Sequence, residues 1–202
     1  MPLSENNLPI TIAVSGASGI VYALRLIEFL TQKNYKLDIV YSKSAIRVAK
    51  EELNLNLDDK IRFLSCDRDV VIHDLNNVAA PISSGSYKSR GMIIVPCSMG
   101  TASAVANGSS DNLLTRAADV CLKERRRLVV VPREMPYSTL HLENLFRLSQ
   151  YGVIVAPASP GFYSNPKTID DCVDFVVGKI LDVFGIDNDI YSRWSLNRAV
   201  KV

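Results

Sequence analysis

The sequence predicts an α/β fold, a three-layer doubly wound sheet that is mostly parallel, and three observations predict it. Short β-branched apolar runs recur at Ile10–Val14, Leu37–Tyr41, Met92–Val95, Leu128–Val131 and Val153–Ala156, each flanked by Gly, Pro or Ser. Unbroken apolar runs of this length suit strands buried on both faces, as a parallel sheet requires. Helical patterns separate them. Ile20–Lys33 carries Ala23, Leu24, Ile27 and Leu30 on one face, Leu113–Lys123, Leu140–Tyr151 and Ile169–Phe184 follow the same period, and Ser44–Leu53 is a shorter helix. The connections are short, which implies right-handed crossovers. With no low-complexity tract, linker or internal repeat, residues 1–202 are expected to form one domain. Only Asn54–Pro81 shows no clear period.

Composition narrows the function classes. Of 202 residues 48% are hydrophobic, and 23 Lys+Arg against 21 Asp+Glu leave a formal charge of +2. A near-neutral chain lacks the basic face of a general nucleic-acid binder. No apolar run approaches the roughly 18 residues of a membrane span. The opening segment Met1–Pro9 is polar, without the basic and apolar regions of a secretory signal, so a cytoplasmic location is expected. The four cysteines form no CxxC pair and there are two histidines, so neither a disulfide framework nor a metal site is expected.

In such a sheet chemistry gathers where strand ends meet helix starts, at the carboxyl edge. That rule selects Ser15–Gly19, Ser42–Ser44, Pro96–Thr101, Pro132–Pro136 and Pro157–Tyr163. Ser15-Gly16-Ala17-Ser18-Gly19 allows close backbone approach and opens a helix whose free N–H groups suit phosphate; a plain tight turn is the alternative. It is neither GxGxxG nor a Walker loop. After the second strand, Ser42-Lys43-Ser44 lacks the acidic residue that would hold an NAD ribose; Ser or Lys could take a phosphate, or simply cap the next helix. Ser98, Gly100 and Thr101 can bond the polar edge of a flat ring, with Met99 against its face or in the core. Cys97, with no His near it in sequence, fits a buried hydrophobe better than a nucleophile. Arg133-Glu134 stands between two prolines at the same edge: Arg can clamp phosphate and Glu can move protons, or the two pair with each other. Ile82–Ser86 suits a flexible surface loop, and the Lys123–Arg127 run a solvated helix end.

Taken in order, these loops resemble the UbiX/Pad-type flavin prenyltransferases. The matching words are Ser15-Gly-Ala-Ser-Gly19, Ser42-Lys43, Ser84-Gly85-Ser86, Pro96-Cys-Ser-Met-Gly-Thr101, Leu114-Thr-Arg-Ala-Ala-Asp119, Leu122-Lys-Glu-Arg125, Arg133-Glu134-Met-Pro136, Pro160-Gly-Phe-Tyr163 and Arg193-Trp194. They run from about Ile10 to Trp194, nearly the whole chain.

The resemblance implies a Rossmann-like flavoprotein fold and transfer of a dimethylallyl group from dimethylallyl phosphate to N5 of reduced FMN, with ring closure at C6. Reduced FMN is then the acceptor substrate. The product, prenylated FMN, would serve a UbiD-type decarboxylase. It further implies a homo-oligomer, trimers packed into a dodecamer, with the active site between subunits. By position, Gly16, Ala17, Ser18 and Ser42 would hold the FMN phosphate and ribitol, and Ser98, Met99, Gly100, Thr101 and Arg133 would line the ring. Arg116, Lys123, Arg133, Tyr163 and Lys179 would grip the prenyl phosphate, Glu134 and Glu52 would move protons, and Ser84–Ser86 would reach in from a neighbouring subunit. Lys179 stands where the family usually has Arg, which keeps the charge and loses the bidentate fork; an exposed helix residue is its alternative reading.

Cationic donors converging on a leaving phosphate would do without metal what acidic magnesium clusters do elsewhere, and neither Asp58-Asp59 nor Asp170-Asp171 forms such a cluster. Two other readings share the fold: an FMN-dependent decarboxylase acting on cysteinyl peptides or aromatic acids, and a flavin carrier without chemistry. Against the cysteinyl decarboxylase, Pro157-Ala158-Ser159-Pro160 and Met135-Pro136-Tyr137 lack that group's Asn-containing words.

Overall fold

The structure, a computed structural model, describes residues 7–66 and 68–194. Six strands form one sheet: β1 (Ile10–Val14), β2 (Leu37–Tyr41), β3 (Val70–His73), β4 (Gly91–Cys97), β5 (Arg127–Pro132) and β6 (Ile154–Val155). Their order is β3-β2-β1-β4-β5-β6 and every pairing is parallel. This is the Rossmann order, whose direction of winding reverses between β1 and β4.

Seven helices cover the two faces: α1 (Ile20–Gln32), α2 (Lys43–Leu53), α3 (Leu57–Leu64), α4 (Met99–Ala106), α5 (Leu113–Lys123), α6 (Thr139–Gln150) and α7 (Ile169–Phe184). Strand alternation divides the core accordingly. Ile10, Ile12, Ile93, Val95, Val129 and Val131 face the side covered by α1, α2, α3 and α7. Ala13, Val40, Met92, Ile94 and Val130 face α4, α5 and α6. Each face has its own apolar layer, so the three-layer expectation holds.

Two elements lie in the stretch that showed no period. β3 is half-exposed along its length, and α3 buries only Leu57 and Ile61. β3 has only the three-residue apolar run Val70–Ile72 and α3 only a narrow apolar face, both shorter than in the central elements. Caps fix where the functional helices begin: Ser42 accepts from Ala45 N–H at the start of α2, and Ser98 from Thr101 N–H at the start of α4. Among the described residues, no helix is long and apolar enough to cross a membrane.

Candidate active site

The reversal point between β1 and β4 is closed by one hydroxyl. Ser15, 1% exposed, donates to the Pro96 carbonyl at 3.0 Å and accepts from Ser98 N–H at 2.7 Å. The two loops leaving β1 and β4 are thereby tied together, and Ser42 N–H joins the second strand through Val14 O at 2.9 Å. Loop one also packs on the start of α2: a Cβ at Gly16 would collide with Ser44, so glycine is required there. Gly19, at φ +102°, turns the chain into α1.

Several donors in this cleft are left open. Among the described residues the Gly16 and Ser18 N–H groups have no partner, beside the Ser42 cap. A Cβ placed on Gly100 meets nothing within 4 Å, so the start of α4 fronts open space rather than a neighbouring element. Ser98 Oγ and Thr101 Oγ1, 3.0 Å apart, edge that space. Arg133, exposed at the end of β5, forms no ion pair or hydrogen bond among the described residues; it does not pair with Glu134. Glu134 accepts from Met135 N–H at 3.2 Å and is exposed.

Two residues take unexpected positions. The Glu52 carboxylate reaches back from the end of α2 and accepts from Gly19 N–H at 3.0 Å and Ile20 N–H at 3.4 Å, at the positive end of α1. Tyr22, whose ring packs on Gly19, has its phenol pushed above the usual range, by burial first and then by Cys172 and Glu52, with Arg133 pulling it down. The phenol thus shares one electrostatic neighbourhood with α2, α7 and the loop after β5. Its place in a helical apolar pattern gave no sign of that. Cys97 is fully buried with its thiol pushed up to about 12, which fits a packing role.

One chain does not gather the four cations that the sequence pointed to. Arg133 stands at the carboxyl edge. Arg116, in α5, is ion-paired to Asp119 at 2.7 Å. Lys179, exposed and without a partner among the described residues, lies ten residues into α7 in an apolar groove of about 310 Å³ beside edge strand β6, with Phe175 and Ile154. Tyr163 touches the same Phe175 edge-on at 5.4 Å and Trp194 at 5.5 Å. Lys123 is at the opposite edge altogether, just ahead of Arg127, where β5 begins. The six residues of β5, about 20 Å at 3.3 Å each, separate it from Arg133. Beside Lys123 lies the turn at 84–86: a Cβ on Gly85 would come within 2.9 Å of Lys123 Nζ, and Arg126 donates to Gly85 O at 2.5 Å. The run at 123–127 is therefore not merely solvated, since Arg127 also donates to Phe184 O. Among the described residues, no group of three or more His, Cys, Asp or Glu side chains is placed to hold a metal ion.

Residues 2–181 match the family model described as Flavoprotein. A protein of Halalkalibacterium halodurans named flavin prenyltransferase UbiX is 50% identical over 193 residues, covering 93% of this chain and 94% of its own. The chain belongs to the flavin prenyltransferase UbiX family. Solved structures of similar proteins superpose closely. AnUbiX (PadA1), in complex with FMN and dimethylallyl pyrophosphate, aligns at TM-score 0.88 and 39% identity over 94% of this chain and 98% of its own. The dodecameric FMN-dependent UbiX-like decarboxylase of Escherichia coli O157:H7 aligns at TM-score 0.87 and 40% identity, over 93% and 100% of the two chains. UbiX membership accounts for the Rossmann order.

Proposed function

We propose that this chain is a flavin prenyltransferase, which moves a dimethylallyl group from dimethylallyl phosphate to reduced FMN. The observation that carries the reading is the cleft at the β1/β4 reversal, whose donors are fixed but unspent. The unpartnered Gly16 and Ser18 N–H groups beside Ser42 suit the FMN phosphate, with Ala17 between them. The space in front of Gly100, edged by Ser98 and Thr101, suits a flat ring, with the buried Met99 behind it and Arg133 at its rim. When bound, reduced FMN supplies the nucleophile, N5.

The chain's own work is to stabilise charge and move protons. Breaking an allylic C–O bond builds negative charge on the departing phosphate. Fixed cations and a phenol at that point stabilise the transition state more than the ground state. Arg133, with no competing carboxylate, is ready for that role, and Tyr163 and Lys179 share a second surface beside Phe175. Glu134, exposed on the same loop as Arg133, is the proton acceptor, and Glu52, seated on α1, orders the cleft's floor and relays protons. Arg116 is oriented by Asp119.

Lys123 and the turn at 84–86 stand too far away to serve the cleft of their own chain. They reach a cleft only across an interface, so the working unit is a homo-oligomer, trimeric or dodecameric, with residues 1–202 as one domain of it. The product, prenylated FMN, goes to a UbiD-type decarboxylase in the cytoplasm. A flavin carrier would have no use for an unpaired Arg133 and a neighbouring carboxylate at the cleft's rim.

The test is anaerobic. Purified protein is mixed with reduced FMN and either dimethylallyl phosphate or diphosphate, then oxidised, and the flavin is weighed by mass spectrometry. A flavin heavier by one dimethylallyl group is expected; an unchanged mass with both donors rejects the proposal. Release of CO₂ from a cysteinyl peptide would support the decarboxylase instead.

A further inference from the structure

Strand β2 carries a carboxylate where a core residue belongs. Asp38, 2% exposed, lies on the face that otherwise packs Val40, Met92 and Ile94. Burying a carboxylate is costly unless its oxygens are bonded, and both are. Oδ1 meets His73 Nε2 at 2.7 Å from β3, and Oδ2 accepts from the Tyr87 hydroxyl at 2.9 Å. Apolar residues of similar volume would fill this place without the cost, so the bonds themselves need a reason.

Tyr87 supplies one. It closes the turn at 84–86, donating its N–H to Ser84 O at 3.2 Å. Inside that turn the Ser84 and Ser86 hydroxyls lie 2.9 Å apart and both residues are exposed. Its far side is held by Arg126, to Gly85 O at 2.5 Å and to Ser89 Oγ at 3.4 Å, and Gly85 packs directly on Lys123 and Glu124. A segment that composition marked as a flexible loop is therefore anchored twice, once to α5's end and once to the buried start of β2.

We propose that Asp38, steadied by His73 and acting through Tyr87, positions the turn at 84–86 and Lys123 for the prenyl-phosphate site of a neighbouring subunit. This rests on the reading above that Lys123 acts across an interface. Asp38 and Tyr87 are positioning residues, since neither touches a reactant. The arrangement is worth its cost because a donor set presented to another chain cannot be ordered by its own cleft. Fixing it beforehand removes that ordering loss from donor binding.

The test compares Tyr87→Phe, Asp38→Asn, Lys123→Ala and the double variant Tyr87→Phe/Lys123→Ala in the anaerobic reaction. KM and kcat for dimethylallyl phosphate are read against the FMN dissociation constant from flavin fluorescence. The expected result for Tyr87→Phe is a roughly ten-fold loss of kcat/KM for the donor, carried by KM, with FMN affinity within about two-fold of wild type. Asp38→Asn, which keeps one acceptor for the Tyr87 hydroxyl, should fall between Tyr87→Phe and wild type. The double variant should be no worse than Lys123→Ala alone, because the two act on one function. Losses that multiply, or an FMN affinity that falls along with the donor's, would reduce Asp38 to a structural residue. Wild-type donor kinetics in Tyr87→Phe beside an impaired Lys123→Ala overturns the positioning role and leaves the interface reading standing. A fully active Lys123→Ala overturns that reading itself.

Discussion

The two edges of the sheet are built on opposite terms. At the carboxyl edge donors are fixed in place and, among the described residues, left unspent: Arg133 lacks an ion-pair partner, Gly16 and Ser18 keep free N–H groups, and Gly100 faces open space. At the amino edge several charges are matched within the chain. Lys36 meets Asp69 at 3.0 Å, Lys123 meets Glu124 at 3.0 Å, Arg126 and Arg127 bond carbonyls, and Asp182 takes Arg193 at 2.7 Å and Tyr191 at 2.5 Å. Open donors at one edge are binding capacity, because a desolvated phosphate there recovers the interactions that nothing in the chain has taken. Matched charges at the other edge are shape: they fix a surface.

The sharpest way to break this comparison is to remove the unspent cation. Arg133→Ala is expected to lower kcat/KM for prenyl transfer by about 100- to 1000-fold, the scale of losing one preorganised donor, while the thermal midpoint hardly moves. Lys123→Ala should be impaired as well, yet co-assembly of the two defective chains should recover activity, because one cleft then holds Arg133 from one chain and Lys123 from the other. Mixtures that stay dead after dissociation and reassembly would mean that both residues serve a single chain. A smaller effect separates the two edges by sign. Gly100→Ala meets no neighbour and replaces a helical glycine, so it should stabilise the fold by about 0.5–1 kcal/mol and still weaken FMN binding roughly ten-fold. Denaturant titration and flavin fluorescence would read the two; weaker stability together with weaker binding would mean that the open space is not the ring's.

The smallest expected effect on activity lies at the amino edge. Burial raises the Asp182 carboxyl, but bonds from Arg193, Tyr191 and Asn188 outweigh it, and the group titrates below the usual carboxylate range. A depressed folded value contributes stability above the unfolded value of about 3.9, which is lost as pH falls through the folded one. Asp182→Asn should therefore cost about 1–3 kcal/mol at neutral pH, with the difference from wild type closing below about pH 4. Turnover should fall less than two-fold, the effect passing through Tyr191 and Phe175 to Tyr163. An equal stability gap at pH 3 and pH 7 would show that Asp182 holds this segment by packing and not by charge.

Legibility followed burial. The strands at 10–14 and 37–41 and the helices at 113–123 and 169–184 fall where the apolar pattern puts them, since each buries a continuous face. The half-exposed β3 and the short α3 were invisible for the converse reason. In the site, the loops themselves were legible because strand ends and small residues mark them. Tyr22 was not, because a helical period cannot distinguish a ring packed on a glycine at the rim from one in the core.

By itself the sequence determined the layered parallel fold, the loops at the carboxyl edge and the family. All three are written in local patterns, in periodicity and in short words that survive without knowledge of what touches what. Only the tertiary structure decided which charges meet. The family resemblance implied one phosphate grip for Arg133, Lys123 and Lys179, completed between subunits, and the fold of a single chain places them at two edges and a flank of the sheet. A single strand of six residues, β5, carries the chain from one edge of the sheet to the other, so nearness in sequence tells little about which edge a side chain serves.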